Sequence, residues 1–467
     1  MDAVADTLAQ FIHGGAVDAR TRSSARDAVI DTLAVTLAGC RGAGVLALEG
    51  TLSAERAGFG VPCLWSDRQF RSDDSALLVG MAAHALDYDD VSMIAITHPS
   101  APVLAALLAG TDWETTTGLE ICDALAVGTE VAIRLGEAIG FSLYELGFHS
   151  TAVLGVFGAT AALARLHRLD PTTTRQALGM AASLASGLRV NFGSMTKPLH
   201  VGIAASNGHR AVSWAKAGLT SADGDVFTNR GFFQAFSGGL ALRWPDEVAV
   251  GDPFVISDPG FERKRFPCCY LTHRMIAASL QLAAAHDLHL ASVRSIRVIL
   301  PRGGALPLIH PRPTTGQEAR FSGPYSVLAA LHDRAIGFSS FTDSAVARPE
   351  IRDRLDDVSL LEVGDEALTP AELGRADVTV VVTLVDGRVV SHVQTTSPGS
   401  PQDPLTRREL RAKWVDCLRH GTNIPEFAAS RLFDMGDDLA KAEPVGRWLT
   451  AIRQAAAPQD RMRAASA

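Results

Sequence analysis

The feature that most constrains the fold is a series of apolar helical segments in which alanine, glycine and serine are dense. Residues 23–37 carry an apolar face at helical spacing, and a longer run extends from residue 151 to about residue 166. Asp170-Pro171 is an N-cap and first-turn signal that starts a helix reaching about residue 186. Because small side chains let neighbouring helices approach closely, these segments predict a multi-helix core rather than a loose bundle.

The sequence changes character after about residue 266. Residues 293–300 form a β-rich run, and residues 378–395 read as a hairpin around Asp386-Gly387, the signature of a type I′ turn. Helical patterns return after residue 403. At 467 residues the chain also exceeds the size at which one core usually keeps growing. We therefore predict a mainly α protein: a large all-helical domain of residues 1–266 plus 397–467, with an inserted smaller α+β lid domain of residues 267–396.

Composition narrows the class of protein. The formal net charge of −8 argues against general nucleic-acid binding, which needs a basic surface. The six cysteines include no Cys-x-x-Cys pair, so we expect reduced thiols and neither a zinc nor an iron–sulfur site. The longest apolar run, residues 151–164, is shorter than the roughly 20 residues that cross a bilayer, and the N-terminus lacks signal-peptide features. We expect a cytoplasmic protein with neither membrane nor nucleic-acid partners.

Residues 84–100 concentrate titratable side chains within apolar sequence. The side chains concerned are His84, Asp87, Asp89, Asp90 and His98. Such a stretch is either a solvated turn at the end of a helix or a site of proton transfer. The sequence has no Walker A motif, no Gly-x-Gly-x-x-Gly after a strand, no Gly-x-Ser-x-Gly and no His-Glu-x-x-His, which argues against nucleotide-binding, hydrolase and zincin chemistry.

Six clusters, in this order along the chain, resemble the motifs of the MmgE/PrpD family. They are His84-Ala-Leu-Asp-Tyr-Asp-Asp90, Thr97-His-Pro-Ser100, Gly147-Phe-His-Ser-Thr151, Thr196-Lys-Pro-Leu-His200, Lys264-Arg-Phe-Pro-Cys-Cys-Tyr-Leu-Thr-His273 and Phe321-Ser-Gly-Pro-Tyr325. The resemblance covers roughly residues 5–455. The family includes 2-methylcitrate dehydratase, cis-aconitate decarboxylase and iminodisuccinate epimerase.

The resemblance implies a homodimer, a di- or tricarboxylate substrate, and neither a metal nor an organic cofactor. The positions that match the family's catalytic residues are Asp87, His98, His149, Lys197, His273 and Tyr325. For substrate binding we predict Lys197, His200 and Ser92. Either His98 or His149 would act as base or acid, with Asp87 orienting an imidazole, Lys197 binding a carboxylate, and His273 and Tyr325 closing the site.

One departure from the family pattern bears on the substrate. The family often has Asp-Asp-Thr where this chain has Asp89-Asp90-Val91, and the apolar run from Met93 to Ile96 follows. This run favours a substrate with an alkyl arm. We therefore predict a cofactor-free lyase that dehydrates a 2-methylcitrate-like hydroxy-polycarboxylate by removing a proton next to a carboxylate. An epimerase or decarboxylase of a related acid, and a catalytically inactive dimeric binding protein, are the alternatives.

Overall fold

A computed structural model of the chain describes residues 3–56, 58–224, 226–228, 230–239, 244, 250–366 and 368–456. The fold is mainly helical with a small mixed sheet in the C-terminal region, as predicted. The chain divides into two compact units. The first comprises residues 1–189, 198–261 and 406–467, and the second comprises residues 190–197 and 262–405.

Helices that precede the sheet region build most of the first unit. They are α1 (Ala3–Gly14), α2 (Ala19–Gly39), α3 (Ala43–Thr51), α4 (Ser72–His84), α5 (Ser100–Gly110), α6 (Gly118–Ile139), α7 (Ser142–Glu145), α8 (Ser150–Leu166), α9 (Pro171–Leu184), α10 (Thr196–Lys216) and α11 (Phe232–Phe236). Between α3 and α4, strands β1 (Val61–Pro62) and β2 (Gln69–Phe70) pair antiparallel.

Aspartate side chains cap the start of two of these helices. The Asp18 side chain accepts a hydrogen bond from Thr21 N (2.7 Å), so α2 begins earlier than its apolar face alone predicts. The Asp170 side chain accepts from Thr173 N (3.0 Å) and Pro171 opens α9, as predicted. Both caps satisfy backbone N–H groups that a helix start otherwise leaves without partners.

Small residues bring the central helices into close contact. A Cβ atom on Gly128 of α6 would lie 2.6 Å from the carbonyl oxygen of Gly158 on α8. A Cβ atom on Gly80 of α4 would lie 2.8 Å from Gly202 Cα on α10. A side chain at either glycine would push the helices apart, so the glycines set the spacing that the dense small residues predict.

The second unit contains six helices and a four-stranded sheet within its described residues. The helices are α12 (His273–His286), α13 (Gly316–Ala319), α14 (Gly323–Asp333), α15 (Asp343–Val346), α16 (Pro349–Arg352) and α17 (Pro370–Arg375). The strands are β3 (Val293–Pro301), β4 (Val358–Val363), β5 (Val378–Leu384) and β6 (Val389–Gln394), in the order β4-β3-β5-β6. Strands β3 and β4 are parallel and the other pairs are antiparallel, with α12 packed against β5 and β6.

The turn between β5 and β6 differs from the prediction. Leu384 N donates to the Arg388 carbonyl (2.8 Å), which leaves a three-residue loop of Val385, Asp386 and Gly387. Only Gly387 in this loop has a positive φ, of 90°, whereas a type I′ turn needs positive φ at both central residues. The predicted type I′ turn is therefore wrong, and the glycine instead takes the left-handed position of a longer hairpin loop.

The chain returns to the first unit in α18 (Arg407–Thr422), α19 (Glu426–Asp437) and α20 (Gly446–Ala456). Helix α18 packs against α2, and the Trp414 ring stacks on Trp448 of α20 at 5.8 Å. Within the described residues no single helix has the length and apolar character to cross a membrane. Helices α2 and α3 meet those criteria only as a pair, bent by 82°.

Candidate active site

The segment between α4 and α5 begins with a strained turn. Helix α4 ends at His84, and Asp87 N donates to the His84 carbonyl (3.2 Å). Asp87 has a left-handed backbone with φ of 51°, which does not continue a helix. This conformation is uncommon for a residue other than glycine, and such strain concentrates at functional sites. As a result, the residues that follow α4 run back toward His84 at the end of that helix.

The rest of the segment folds into a closed loop. Ser92 and Thr97 exchange backbone hydrogen bonds, of 2.8 Å from Ser92 N and 3.2 Å from Thr97 N. The predicted substrate-binding residue Ser92 is thus buried within this bridge. Ala95 packs against α6, since a Cβ atom on Gly136 would lie 2.4 Å from Ala95 Cβ. The apolar run therefore contributes to the core at this residue.

Two imidazoles and two carboxylates form a compact group in this segment. Asp89 Oδ2 lies 2.9 Å from His84 Nδ1 and 3.3 Å from His98 Nδ1. On the other side of the rings, Asp87 Oδ1 lies 3.8 Å from both His84 Nε2 and His98 Nε2. The two rings meet edge to face with centroids 4.5 Å apart. We call these four residues the His–Asp cluster.

The charge of Asp89 depends on its imidazole neighbours. Its carboxylate is fully buried, which by itself raises the pKa, but His84 and His98 hold the pKa of Asp89 well below its ordinary value. Asp90, the next residue, has the opposite character. Burial raises the pKa of Asp90 from 3.8 to about 7, against the hydrogen bonds from Ser100.

Two further histidines extend the cluster. His149 occupies the N-cap position of α8, and its Nδ1 lies 3.2 Å from Nδ1 of His200 on α10. The His149 ring stacks near His84, with centroids 5.7 Å apart. The Thr151 hydroxyl accepts from His98 N (3.0 Å), which ties the start of α8 to the loop. Four buried or largely buried imidazoles are therefore contiguous in the first unit.

Buried polar contacts also anchor the segment between α4 and α5 to neighbouring helices. Lys413 of α18 lies 2.8 Å from Asp31 of α2, and its Nζ donates to the Tyr88 carbonyl (3.0 Å). The same ammonium sits 4.0 Å from the centroid of the Tyr88 ring. Asp90 accepts from Ser100 N (3.2 Å) and from the Ser100 hydroxyl (2.5 Å), so the Asp90 side chain caps the start of α5. The first of these contacts anchors the chain at Tyr88, directly after Asp87, and the second caps the start of α5.

Lys197 belongs to the second unit, in the first turn of α10. Its Nζ lies 4.8 Å from the centroid of the Phe192 ring and 4.6 Å from that of Phe321. Both rings contribute cation–π attraction and hold the buried ammonium in place. A charge positioned in this way is suited to binding a carboxylate.

His273 and Tyr325 are fully buried in the second unit. His273 Nε2 donates to the Phe266 carbonyl (3.1 Å), because a carbonyl oxygen only accepts. The Tyr325 hydroxyl donates to the Ser340 carbonyl, and burial raises the pKa of Tyr325 from 10.0 to about 12. Tyr325 is therefore a protonated hydrogen-bond donor at neutral pH.

Thiol chemistry is disfavoured. All six cysteines are buried and free of disulfide bonds, including Cys268 and Cys269, which are adjacent in the sequence. Burial raises the pKa of Cys40 and of Cys122 to about 12, so neither provides a thiolate near neutral pH.

The His–Asp cluster is also the group whose donor atoms could hold a cation. One donor atom from each of its four side chains lies within 4.8 Å of the others. Imidazole nitrogens and carboxylate oxygens are ligands that zinc and other divalent transition metals accept. The cluster therefore has the donor chemistry for a metal, although the resemblance implies that catalysis uses none.

Comparison with known proteins identifies the family. Residues 6–245 match the MmgE/PrpD N-terminal domain and residues 266–428 match the MmgE/PrpD C-terminal domain. The chain belongs to the MmgE/PrpD family. The human protein named cis-aconitate decarboxylase is 30% identical over 352 residues, covering 73% of this chain and 71% of the relative. The mouse protein of the same name is 30% identical over 371 residues, covering 75% and 73%.

A fungal relative carries the same name. Cis-aconitate decarboxylase of Aspergillus terreus is 28% identical over 292 residues, covering 58% of this chain and 59% of the relative. The predicted family is thus confirmed, and the protein is an MmgE/PrpD family enzyme.

The structure brings together four of the predicted site residues in the first unit: Asp87, His98, His149 and His200. Lys197, His273 and Tyr325 lie in the second unit, and their catalytic roles stay predictions.

The sequence predicted no role for His84 and Asp89, although they lie in the stretch where titratable residues are concentrated. The contribution of Asp31 and Lys413 had no local signal, because the two residues are 382 positions apart.

Proposed function

We propose that this enzyme decarboxylates cis-aconitate or a closely related unsaturated tricarboxylate. The observation that carries the proposal is the contiguous group of four imidazoles beside two carboxylates in the first unit. Such a group can store a proton and deliver it to a carbanion. The names of the human, mouse and fungal relatives support decarboxylation over the other reactions of the family.

The reaction sets two requirements. The carboxylate on the CH2 arm leaves as carbon dioxide. The electron pair of the broken C–C bond is delocalised over the adjacent C=C bond, which gives an allyl carbanion. The charge spreads toward the carboxylate at the far end of that allyl system. Protonation at the far carbon then gives an unsaturated dicarboxylate with a terminal methylene. The site must therefore supply one proton and fixed positive charge beside the remaining carboxylates.

His98 or His149 supplies the proton in this proposal. Asp87 lies near His98 Nε2 and orients that ring, while His200 Nδ1 faces His149 Nδ1. Lys197 binds a substrate carboxylate through its ammonium. His273 and Tyr325 serve as further site residues. A cytoplasmic homodimer that needs no metal or organic cofactor completes the proposal.

Dehydration, the reaction that the sequence favoured, makes a different demand. It needs an acid for a departing hydroxyl group, and epimerisation needs a base on each face of the carbon. The imidazole group could be adapted to either reaction, because one set of residues can serve several chemistries. The product of the reaction therefore distinguishes them.

The test is a product-resolved assay of purified protein in D2O. With cis-aconitate we expect one equivalent of carbon dioxide and a dicarboxylate that carries one deuterium in its saturated methylene group. His149→Gln should reduce this rate by about 10²-fold or more, whereas His286→Gln, at an exposed helix end, should leave the rate unchanged.

The same preparation should be offered 2-methylcitrate and other hydroxy-tricarboxylates, with and without EDTA. Water loss from these acids without decarboxylation of cis-aconitate would contradict the proposal and restore dehydration. A change in optical rotation alone would indicate an epimerase. Activity lost to EDTA and restored by a divalent metal would contradict catalysis without a cofactor.

A further inference from the structure

His84 and Asp89 are buried ionisable residues for which the reaction as described above has no use. His84 is 1% exposed, and Asp89 is 0% exposed. Withdrawing a carboxylate from water is costly unless charged or hydrogen-bonding partners compensate. The neighbouring Asp90 is equally buried, but its contacts to Ser100 N and Oγ account for it as a helix cap. Asp89 needs a different explanation.

Among the described residues, the Asp89 carboxylate makes its polar contacts with imidazole rings. Its Oδ1 and Oδ2 lie 3.0 and 2.9 Å from His84 Nδ1, and its Oδ2 lies 3.3 Å from His98 Nδ1. An ionised carboxylate can only accept hydrogen bonds. His84 Nδ1, in hydrogen-bond contact with both carboxylate oxygens, must therefore carry a proton. The 3.3 Å ion-pair contact of His98 Nδ1 with the same carboxylate favours a proton there as well, so in both rings Nε2 is the nitrogen that gains and loses the second proton.

The opposite side of each ring completes the arrangement. With Nδ1–H directed at Asp89, both Nε2 atoms point toward the same atom, Asp87 Oδ1, at 3.8 Å. One carboxylate thus lies beside the Nδ1 atoms of two imidazoles, and a second carboxylate lies beside the Nε2 atoms of the same two rings. A carboxylate behind a histidine is a common means of fixing the ring and its tautomer at reactive sites.

We propose that Asp89 is a positioning residue that fixes His84 and His98 as Nδ1–H tautomers and so directs the Nε2 atoms of both rings toward Asp87. Nε2 of His98 is then the nitrogen that takes up a proton and delivers it to the substrate carbanion, and Nε2 of His84 is a second site of proton exchange next to it. The inference rests on the proposed function only where it predicts turnover. The tautomers themselves are a property of the protein without substrate.

The first experiment measures those tautomers directly. Long-range 1H–15N spectra of the wild-type protein labelled with 15N-histidine should show two rings in the Nδ1–H form, identified by their loss in His84→Gln and His98→Gln. In Asp89→Asn at least one of the two should change form, because the amide nitrogen cannot accept from Nδ1–H. Two Nε2–H rings in the wild-type protein would overturn the proposal without any variant.

The second experiment measures turnover. Asp89→Asn should lower kcat for cis-aconitate by about 10²-fold or more while KM changes less than about threefold. The matched control is Asp90→Asn, the same substitution at the adjacent, equally buried aspartate, which should keep kcat near the wild-type value. A loss confined to KM, or equal losses of kcat in both variants, would overturn the positioning role.

Two outcomes separate this inference from the proposed function. If the wild-type protein shows the predicted tautomers but does not decarboxylate cis-aconitate, the proposed function fails and the tautomer assignment stands. If it decarboxylates cis-aconitate but the Nδ1–H rings are absent, the inference fails alone. A stoichiometric zinc ion that titrates into the cluster at equimolar concentration and replaces the Nδ1–H signals would also overturn the inference, because the cluster would then be a metal site.

Discussion

Asp87 and Asp89 lie two residues apart but face opposite nitrogens of the same two imidazoles. The left-handed backbone at Asp87 makes this possible, because it turns the chain sharply between the end of α4 and the loop. The position of the Lys197 ammonium also depends on neighbouring side chains. Cation–π contacts with two phenylalanine rings fix this ammonium inside the protein, whereas most lysines are solvated.

Replacing Lys197 by methionine should remove the charge while keeping an apolar stem against Phe192 and Phe321. We expect activity on cis-aconitate to fall by about 10²-fold or more, since charge-assisted contacts to substrate are worth on the order of 2–4 kcal/mol. The melting temperature should change little. Lys216→Met, at the exposed end of the same helix, is the control. Full turnover by Lys197→Met would show that this lysine does not bind the substrate.

Helices α2 and α18 support the site segment through a buried ion pair. Lys413 joins Asp31 to the carbonyl and ring of Tyr88, which lies between the two aspartates of the His–Asp cluster. A helix from near the C-terminus therefore holds a segment that begins at residue 84. The burial of both charges means that neither partner is tolerated well alone.

Lys413→Met should destabilise the protein by about 3–5 kcal/mol, because Asp31 would remain buried without its cation. The double variant Asp31→Asn/Lys413→Met should regain much of that loss, since it removes the uncompensated charge. Thermal or urea unfolding of the two variants and of each single variant measures the order of their stabilities. A double variant as unstable as the sum of the single changes would contradict the coupling.

The stability of the molecule as a whole should depend on a buried carboxyl group and a half-buried imidazole whose pKa values shift in opposite directions on folding. The pKa of Asp90 is raised from 3.8 to about 7 by burial. The folded state therefore holds a proton that the unfolded state releases, and stability falls as pH rises from about 4 to about 7. The pKa of His167 is lowered from 6.5 to about 4, by burial and then by Lys216 and His209. This contribution is present above pH 6.5 and is lost as pH falls through about 4.

Two variants separate these contributions. Asp90→Asn should gain stability relative to the wild-type protein as pH rises from 4 to 7, by on the order of 2–4 kcal/mol. His167→Gln should gain relative stability as pH falls over the same range. Melting temperatures of the three proteins at several pH values measure both trends. Parallel curves for the wild-type protein and Asp90→Asn would show that Asp90 does not titrate with folding.

Sequence alone was sufficient for the features that local patterns and ordered motifs encode. The helix start at Asp170 and the mainly α fold with an α+β region follow from spacing and composition, and the MmgE/PrpD family follows from the resemblance of six ordered motifs. Only the tertiary structure shows that the Asp89 carboxylate lies beside two imidazoles, that Lys413 donates to the Tyr88 carbonyl, and that the hairpin at Gly387 is not type I′. These features depend on ring orientation, backbone strain and contacts between distant residues, which spacing along the chain does not encode.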